Sequence, residues 1–180
     1  MRKMLSTWVV VLGLLGATNS FASASFANRN LGLGVSGMKL LGDSIGINWA
    51  VPISLEGGLY IGEGFEIFLR PQFYLVDSVI GANTPTGQGV ILGGGGHAGA
   101  RYLFLEESIR PYVGLQISVI ALARTPQVDV YAGGGVQAGI DFFVADSISL
   151  GFRGYFDIYI VLNKAPSFDL GGGLYATTYF

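Results

Sequence analysis

Residues 168–180 read F-D-L-G-G-G-L-Y-A-T-T-Y-F, and in steps of two they sort onto two unlike faces. Leu170, Gly172, Leu174, Ala176, Thr178 and Phe180 fall on one side, and Asp169, Gly171, Gly173, Tyr175, Thr177 and Tyr179 on the other. The first face is mostly apolar and the second polar or small. The segment stops on an aromatic residue with no charged tail behind it, whereas the terminus of a soluble domain is usually frayed and polar. Such an ending is expected of a strand that closes a barrel in a bilayer.

The same alternation recurs through the chain, which predicts eight strands at about 30–39, 48–61, 65–76, 90–104, 108–119, 130–143, 148–158 and 168–180. In the fifth, Ile109, Pro111, Val113, Leu115, Ile117 and Val119 oppose Arg110, Tyr112, Gly114, Gln116 and Ser118. An even strand number puts both ends on one side. The tight links at 62–64, 105–107 and 144–147 would then be periplasmic turns, and the looser ones at 41–47, 77–89, 122–129 and 160–167 would face outward. Gly95-Gly96-His97-Ala98-Gly99 is echoed by Gly135-Val136-Gln137-Ala138-Gly139, which marks the hairpin as the repeating unit.

The beginning of the chain has a different character. Arg2 and Lys3 precede an apolar run from Trp8 to Ala17, and small residues lead to Ala22-Ser23-Ala24. Basic, apolar and A-x-A regions in that order predict a secretory signal peptide over residues 1–24, cut after Ala24, with Ala22 and Ala24 as the recognised small residues. The apolar run is shorter than the ~20 residues a spanning helix needs. Residues 25–180 then form one barrel domain. Arg2 and Lys3 leave with the leader, so the 10 basic residues fall to 8 against 12 acidic. No basic patch remains to bind nucleic acid. The chain has no cysteine, which excludes a disulfide framework and a thiolate metal site.

Charged residues make up only 12% of the chain against the ~25% usual in soluble domains, and beyond the leader the lysines are Lys39 and Lys164 alone. A water-facing surface is hard to build from so few. No apolar run of ~20 residues follows the leader either, so spanning helices are excluded. In lipid every backbone polar group must pair internally, and a charge-poor exported chain without spanning helices meets that demand as a closed β-barrel. The expected fold is therefore all-β, an eight-stranded antiparallel up-and-down transmembrane barrel. A soluble lipocalin-like barrel would turn the apolar face inward. Here the opposite face is Gly, Tyr, Ser, Gln and a few Arg and Asp, which suits a packed polar lumen better than a solvated surface. Phe65, Tyr102, Phe104, Phe142 and Phe180, near strand ends, would form an aromatic girdle.

Taken together, the A-x-A leader, eight strands with short turns on one side, and the closing Gly173-Leu174-Tyr175-Ala176-Thr177-Thr178-Tyr179-Phe180 resemble the small bacterial outer-membrane barrels of the OmpA, OmpX and OmpW kind. Thr178 departs from the pattern, since an apolar residue is commoner there. The resemblance implies a place in the outer membrane among its lipids, and a closing strand (Gly173, Tyr175, Tyr179, Phe180) read by the barrel-assembly machinery. It further implies escort by periplasmic chaperones and a monomeric barrel.

On the inward face the expected charges are Glu56, Glu66, Arg70, Arg101, Arg110, Asp141, Arg153, Asp157 and Asp169. A turn centred on Glu63 would set Glu56 opposite Arg70 and Tyr60 opposite Glu66. The next turn would set Arg101 opposite Arg110 and Gly99 opposite Tyr112, and the following link Arg110 opposite Asp141. Four arginines and five carboxylates in so narrow a space predict an ionic plug, with tyrosines laid over glycines. An active site is the competing reading of the same charges, because buried charges perturb one another for structural and catalytic reasons alike.

Two motifs carry less. Gly94-Gly95-Gly96-His97-Ala98-Gly99 spells G-x-G-x-x-G, but a strand continues where the dinucleotide fingerprint needs a helix. His97 is the single histidine. Lipid A-modifying barrel enzymes pair a histidine with a nearby serine, yet no H-x-S spacing exists here, and the expected register does not bring Ser118 or Ser149 close. No cofactor or metal is expected. The functional readings are a non-enzymatic structural or interaction barrel, a passive conduit for small or apolar molecules, and, more remotely, a lipid A-modifying enzyme.

Overall fold

The computed structural model describes residues 29–41, 49–62, 64–76, 91–104, 108–124, 127–160 and 166–180. The leader expected at 1–24 lies outside the described residues. Eight strands follow in chain order: β1 Arg29–Leu41, β2 Trp49–Gly62, β3 Phe65–Val76, β4 Ile91–Leu103, β5 Ile109–Arg124, β6 Gln127–Ala145, β7 Ile148–Ile160 and β8 Ser167–Tyr179. Each pairs antiparallel with its neighbours in sequence, and β8 returns to β1, so the sheet closes with no free edge.

Period-two alternation decides which side chains line the barrel. Outside stand Leu33, Leu69, Phe73, Leu115, Ile117, Leu174 and their like, many more than half exposed. Inside are Glu66, Arg110, Asp141, Asp157 and Asp169 at 0% exposure. A barrel turned this way offers acyl chains, not water, the surface they wet, since a greasy wall around a charged interior inverts a soluble core. The girdle aromatics Phe65, Tyr102, Phe104, Phe142 and Phe180 all face outward at the end where the short turns lie. One of those turns requires its glycine: Gly64 has φ 77°, and a Cβ there would sit 2.7 Å from the Leu103 carbonyl oxygen.

Two expectations about connectivity need correcting. The link at 122–129 is not a loose loop, because β5 and β6 stay paired out to Arg124↔Gln127. Alternation simply continues through Ala121, Leu122, Val128 and Val130, and the Thr125-Pro126 pair is all that lies between the strands. The β4–β5 register differs as well. Arg101 faces Gly114 rather than Arg110, and Gly99 faces Gln116 rather than Tyr112. Tilted strands in a barrel are staggered, so the start of β5 overhangs β4 and pairs onward with β6, as Ile109↔Phe142 and Arg110↔Asp141. The slip from 110 to 114 is an even number of residues, so no side chain changes face.

The interior is also layered. Toward the looser end, the inward positions of lengthened strands are apolar: Met38, Leu40, Ala50, Ile120 and Leu122 pack with Tyr74, Tyr131, Tyr155 and Tyr159. Asp169 brings a charge to the border of this cluster, as the partner of Leu40 across β1–β8 and the acceptor of the Tyr159 hydroxyl.

Candidate functional site

The inward charges form one connected layer to which all eight strands contribute. Its hub is Glu56 on β2, whose carboxylate meets Arg70 Nε at 2.8 Å, Arg101 Nη1 at 2.9 Å and Arg153 Nη2 at 2.8 Å. Arg101 is a fork between two acids, because its Nε and Nη2 also reach Glu66 at 2.9 and 2.8 Å. Bidentate geometry of this sort fixes direction as well as charge. Asn30 of β1 donates to the same Glu66 at 2.9 Å. Register underlies these meetings: Glu66 and Arg101 are direct partners across β3–β4, and Tyr60 faces Glu66 across β2–β3.

From the hub the network runs toward the apolar end. Arg70 Nη2 donates to Gln137 Oε1 at 2.7 Å, and Gln116 Nε2 donates to both oxygens of Asp157 at 2.8–2.9 Å. His97 Nε2 lies 2.9 Å from Asp157 Oδ2. Asp157 and Asp169 are partners across β7–β8, and Tyr159 donates to Asp169 at 2.8 Å. Toward the tight-turn end, Arg153 Nε donates to Tyr112 Oη at 2.9 Å, and Tyr175 Oη donates to Asp141 Oδ1 at 2.5 Å. Arg110, opposite Asp141 in the ladder, holds its guanidinium 4.3 Å from the centre of the Phe143 ring.

Every guanidinium in the layer therefore meets an acid, an amide, a hydroxyl or an aromatic face. Arg70, Arg101 and Arg110 are among the largest side chains wholly buried in the barrel. Room for tyrosines comes from glycines. Tyr112 covers Gly139, Tyr175 covers Gly151 and Tyr155 covers Gly171, each from the directly opposite position, and a Cβ on any of the three would collide with the ring or its hydroxyl. Tyr112 thus lies over a glycine of β6, not over Gly99 on β4. In the closing strand Tyr175 and Tyr179 point inward, Phe180 points out, and Gly173 lets β1 approach closely, a Cβ there falling 2.3 Å from the Val35 carbonyl oxygen. Phe180 and Arg29 exchange backbone hydrogen bonds at 2.9 and 3.1 Å.

One pairing that the expected register excluded does occur. His97 and Ser118 are direct partners across β4–β5, so Ser118, His97 and Asp157 come together in the order a hydrolase uses. The four-residue slip in that hairpin is what brings the serine over. Chemistry does not follow from it. Ser118 Oγ makes no hydrogen bond to His97, and the three residues are 2%, 1% and 0% exposed inside the wall. A nucleophile needs a base within reach and a route for substrate. Among the described residues no group of histidines and carboxylates is arranged to hold a metal ion.

No protein-family model and no curated protein sequence matches the chain. Solved structures do match its shape. Neisserial surface protein A superposes with a TM-score of 0.65 at 15% identity, over 86% of this chain and 98% of the other. Ail, the attachment invasion locus protein of Yersinia pestis, gives 0.52 at 10% identity over 87% and 100%, and the outer membrane protein OprG of Pseudomonas aeruginosa 0.51 at 10% over 88% and 99%. At such identities the shared property is the backbone, and this chain has the fold of the small eight-stranded outer-membrane barrels.

Proposed function

We propose that this chain is an integral protein of the bacterial outer membrane, and that its barrel is a sealed, non-enzymatic body serving envelope structure or contacts at the outer surface. The observation that carries the reading is the charged layer around Glu56, in which buried side chains from every strand meet one another across the bore. Eight strands enclose little more than the volume of their own inward side chains, so a layer so filled leaves no aqueous path. An apolar outer wall supports the membrane setting, and the end bearing the tight turns and the aromatic girdle is then the periplasmic one. Residues 1–24 would direct export and be removed. Gly173, Tyr175, Tyr179 and Phe180 would present the closing strand to the assembly machinery, with periplasmic chaperones holding the chain beforehand. The finished barrel works as a monomer surrounded by lipid.

Recording across a planar bilayer tests the seal. The refolded protein should give no steady current above the bare membrane, and a large ohmic conductance would overturn the reading. A second reading, passage of small apolar molecules, draws on the apolar interior near Met38, Leu40, Ile120 and Leu122. Uptake of a hydrophobic tracer into proteoliposomes would favour it. The non-enzymatic part rests on burial of Ser118, His97 and Asp157. Lipid A from cells carrying the wild type or His97→Ala should be identical.

A further inference from the structure

A wall that faces lipid bears charge only at a cost. Of the outward positions in the eight strands only Arg29 and Lys39 are charged, and Arg29 opens β1 at the end where the tight turns lie. Lys39 stands near the opposite end of the same strand, paired with Trp49 on β2 and Leu170 on β8. Its Nζ lies 5.7 Å from the centre of the Trp49 ring, and among the described residues no carboxylate reaches it. With β1 ending at Leu41, the lysine stem can carry its ammonium up to the depth of lipid headgroups.

An apolar trough leads away from this lysine. Next below it on the same face of β1 is Gly37, and the ladder continues from there as Gly37↔Gly172, Gly172↔Gly154, Gly154↔Ala138, Ala138↔Val113 and Val113↔Tyr102. At about 4.8 Å from strand to strand, that row is roughly 24 Å long. Because the strands tilt, it descends obliquely through the wall to the aromatic girdle at Tyr102. Large side chains bank it on both sides, Leu170, Phe156 and Val136 above and Leu174, Phe152 and Ile140 below. Across β7, β6, β5 and β4 the wall is hollowed by about 700 Å³. On the inner face Gly139, Gly151 and Gly171 make room for tyrosines, but out here a Cβ on Gly37 would meet nothing within 4 Å, and one on Gly154 nothing nearer than 3.9 Å. The barrel's own packing does not ask for bare backbone at these two positions, and glycine inside a strand weakens it.

We propose that the trough seats one acyl chain of an acidic glycerophospholipid, whose phosphodiester rests on Lys39 beside Trp49. The inference rests on the outer wall facing lipid, and it adds one specific lipid to a barrel otherwise surrounded by lipid of any kind. An ammonium is a point charge suited to a phosphate, and an indole suits the border between headgroups and chains. One cation and one trough match one anionic headgroup and one chain. A lipid A molecule, with more than one phosphate and several chains, would leave most of itself unmet.

Native mass spectrometry of the refolded protein, released from nanodiscs of equal parts phosphatidylglycerol and phosphatidylethanolamine, tests it. One phosphatidylglycerol should stay with each barrel, favoured about fivefold, the worth of one lysine near a membrane surface toward acidic lipid. Lys39→Gln should abolish the preference while a lipid of either kind is still retained. Gly154→Leu fills the trough and should release both, whereas Gly57→Leu, an equal change on β2 outside the trough with nothing within 4 Å of its Cβ, should behave as wild type. Equal retention of the two lipids by the wild type, or none, would overturn the inference whether or not the variants fold. So would a preference untouched by Lys39→Gln, or lipid A displacing phosphatidylglycerol when both are supplied. A barrel that inserts and retains no lipid refutes this inference alone, and one that never inserts refutes the membrane reading as well.

Discussion

Replacing Glu56 by glutamine changes one atom's identity and one unit of charge at the hub of the layer. Three guanidiniums lie within 2.9 Å of that carboxylate, and it is 4% exposed. In Glu56→Gln, Arg101 keeps its bonds to Glu66, whereas Arg70 keeps the amides of Gln116 and Gln137 and Arg153 the hydroxyl of Tyr112, none of them an acid. Removing one partner of a buried ion pair costs about 3–5 kcal/mol, because the remaining charge stays desolvated without compensation. At 1.36 kcal/mol per factor of ten, the folded population should fall by roughly two to nearly four powers of ten. Urea unfolding of the refolded protein in lipid vesicles reads this directly, with exposed Asp146→Asn as a control that should stay within about 0.5 kcal/mol of wild type. A double cycle sharpens the test. In Glu56→Gln with Arg153→Met, one of the orphaned charges is gone, so the loss should be clearly less than the sum of the two single losses. A Glu56→Gln loss below about 1 kcal/mol, or simple additivity in the cycle, would refute the view that the layer is held by its ion pairs.

Other consequences follow from named contacts. In Gly151→Val a Cβ would stand 2.2 Å from the Tyr175 ring, so a loss of about 1–3 kcal/mol from overpacking is expected, whereas Gly57→Val, with nothing within 4 Å of its Cβ, should unfold at the wild-type urea concentration. Leu115, 69% exposed near the middle of β5, faces lipid, and Leu115→Arg should cost about 2–4 kcal/mol in vesicles. A substitution as mild there as on a soluble surface would show that the wall does not meet hydrocarbon.

Much of the fold is legible in the chain because a strand's period of two is a local property. Which residues point inward at Glu56, Arg70, Arg101, Asp141, Arg153 and Asp157 follows from parity alone, and so does the Glu66–Tyr60 pairing across a turn too short to misplace. The hub was harder to see. Glu56, Arg101 and Arg153 belong to β2, β4 and β7, strands that are not neighbours, and their side chains meet only across the bore. His97 and Ser118 were missed for another reason. A longer turn lets register slip by an even number of residues without disturbing either face, so composition holds no trace of it.

Alternation, scarcity of charge and the lack of a spanning apolar run were enough to dictate eight strands, their inward and outward faces and a wall made for lipid, since each depends on residues close together along the chain. Closure and stagger settled the rest. Which arginine meets which acid and where tyrosines find glycines depend on strands brought together from distant parts of the chain, and no local pattern encodes a distance across the bore.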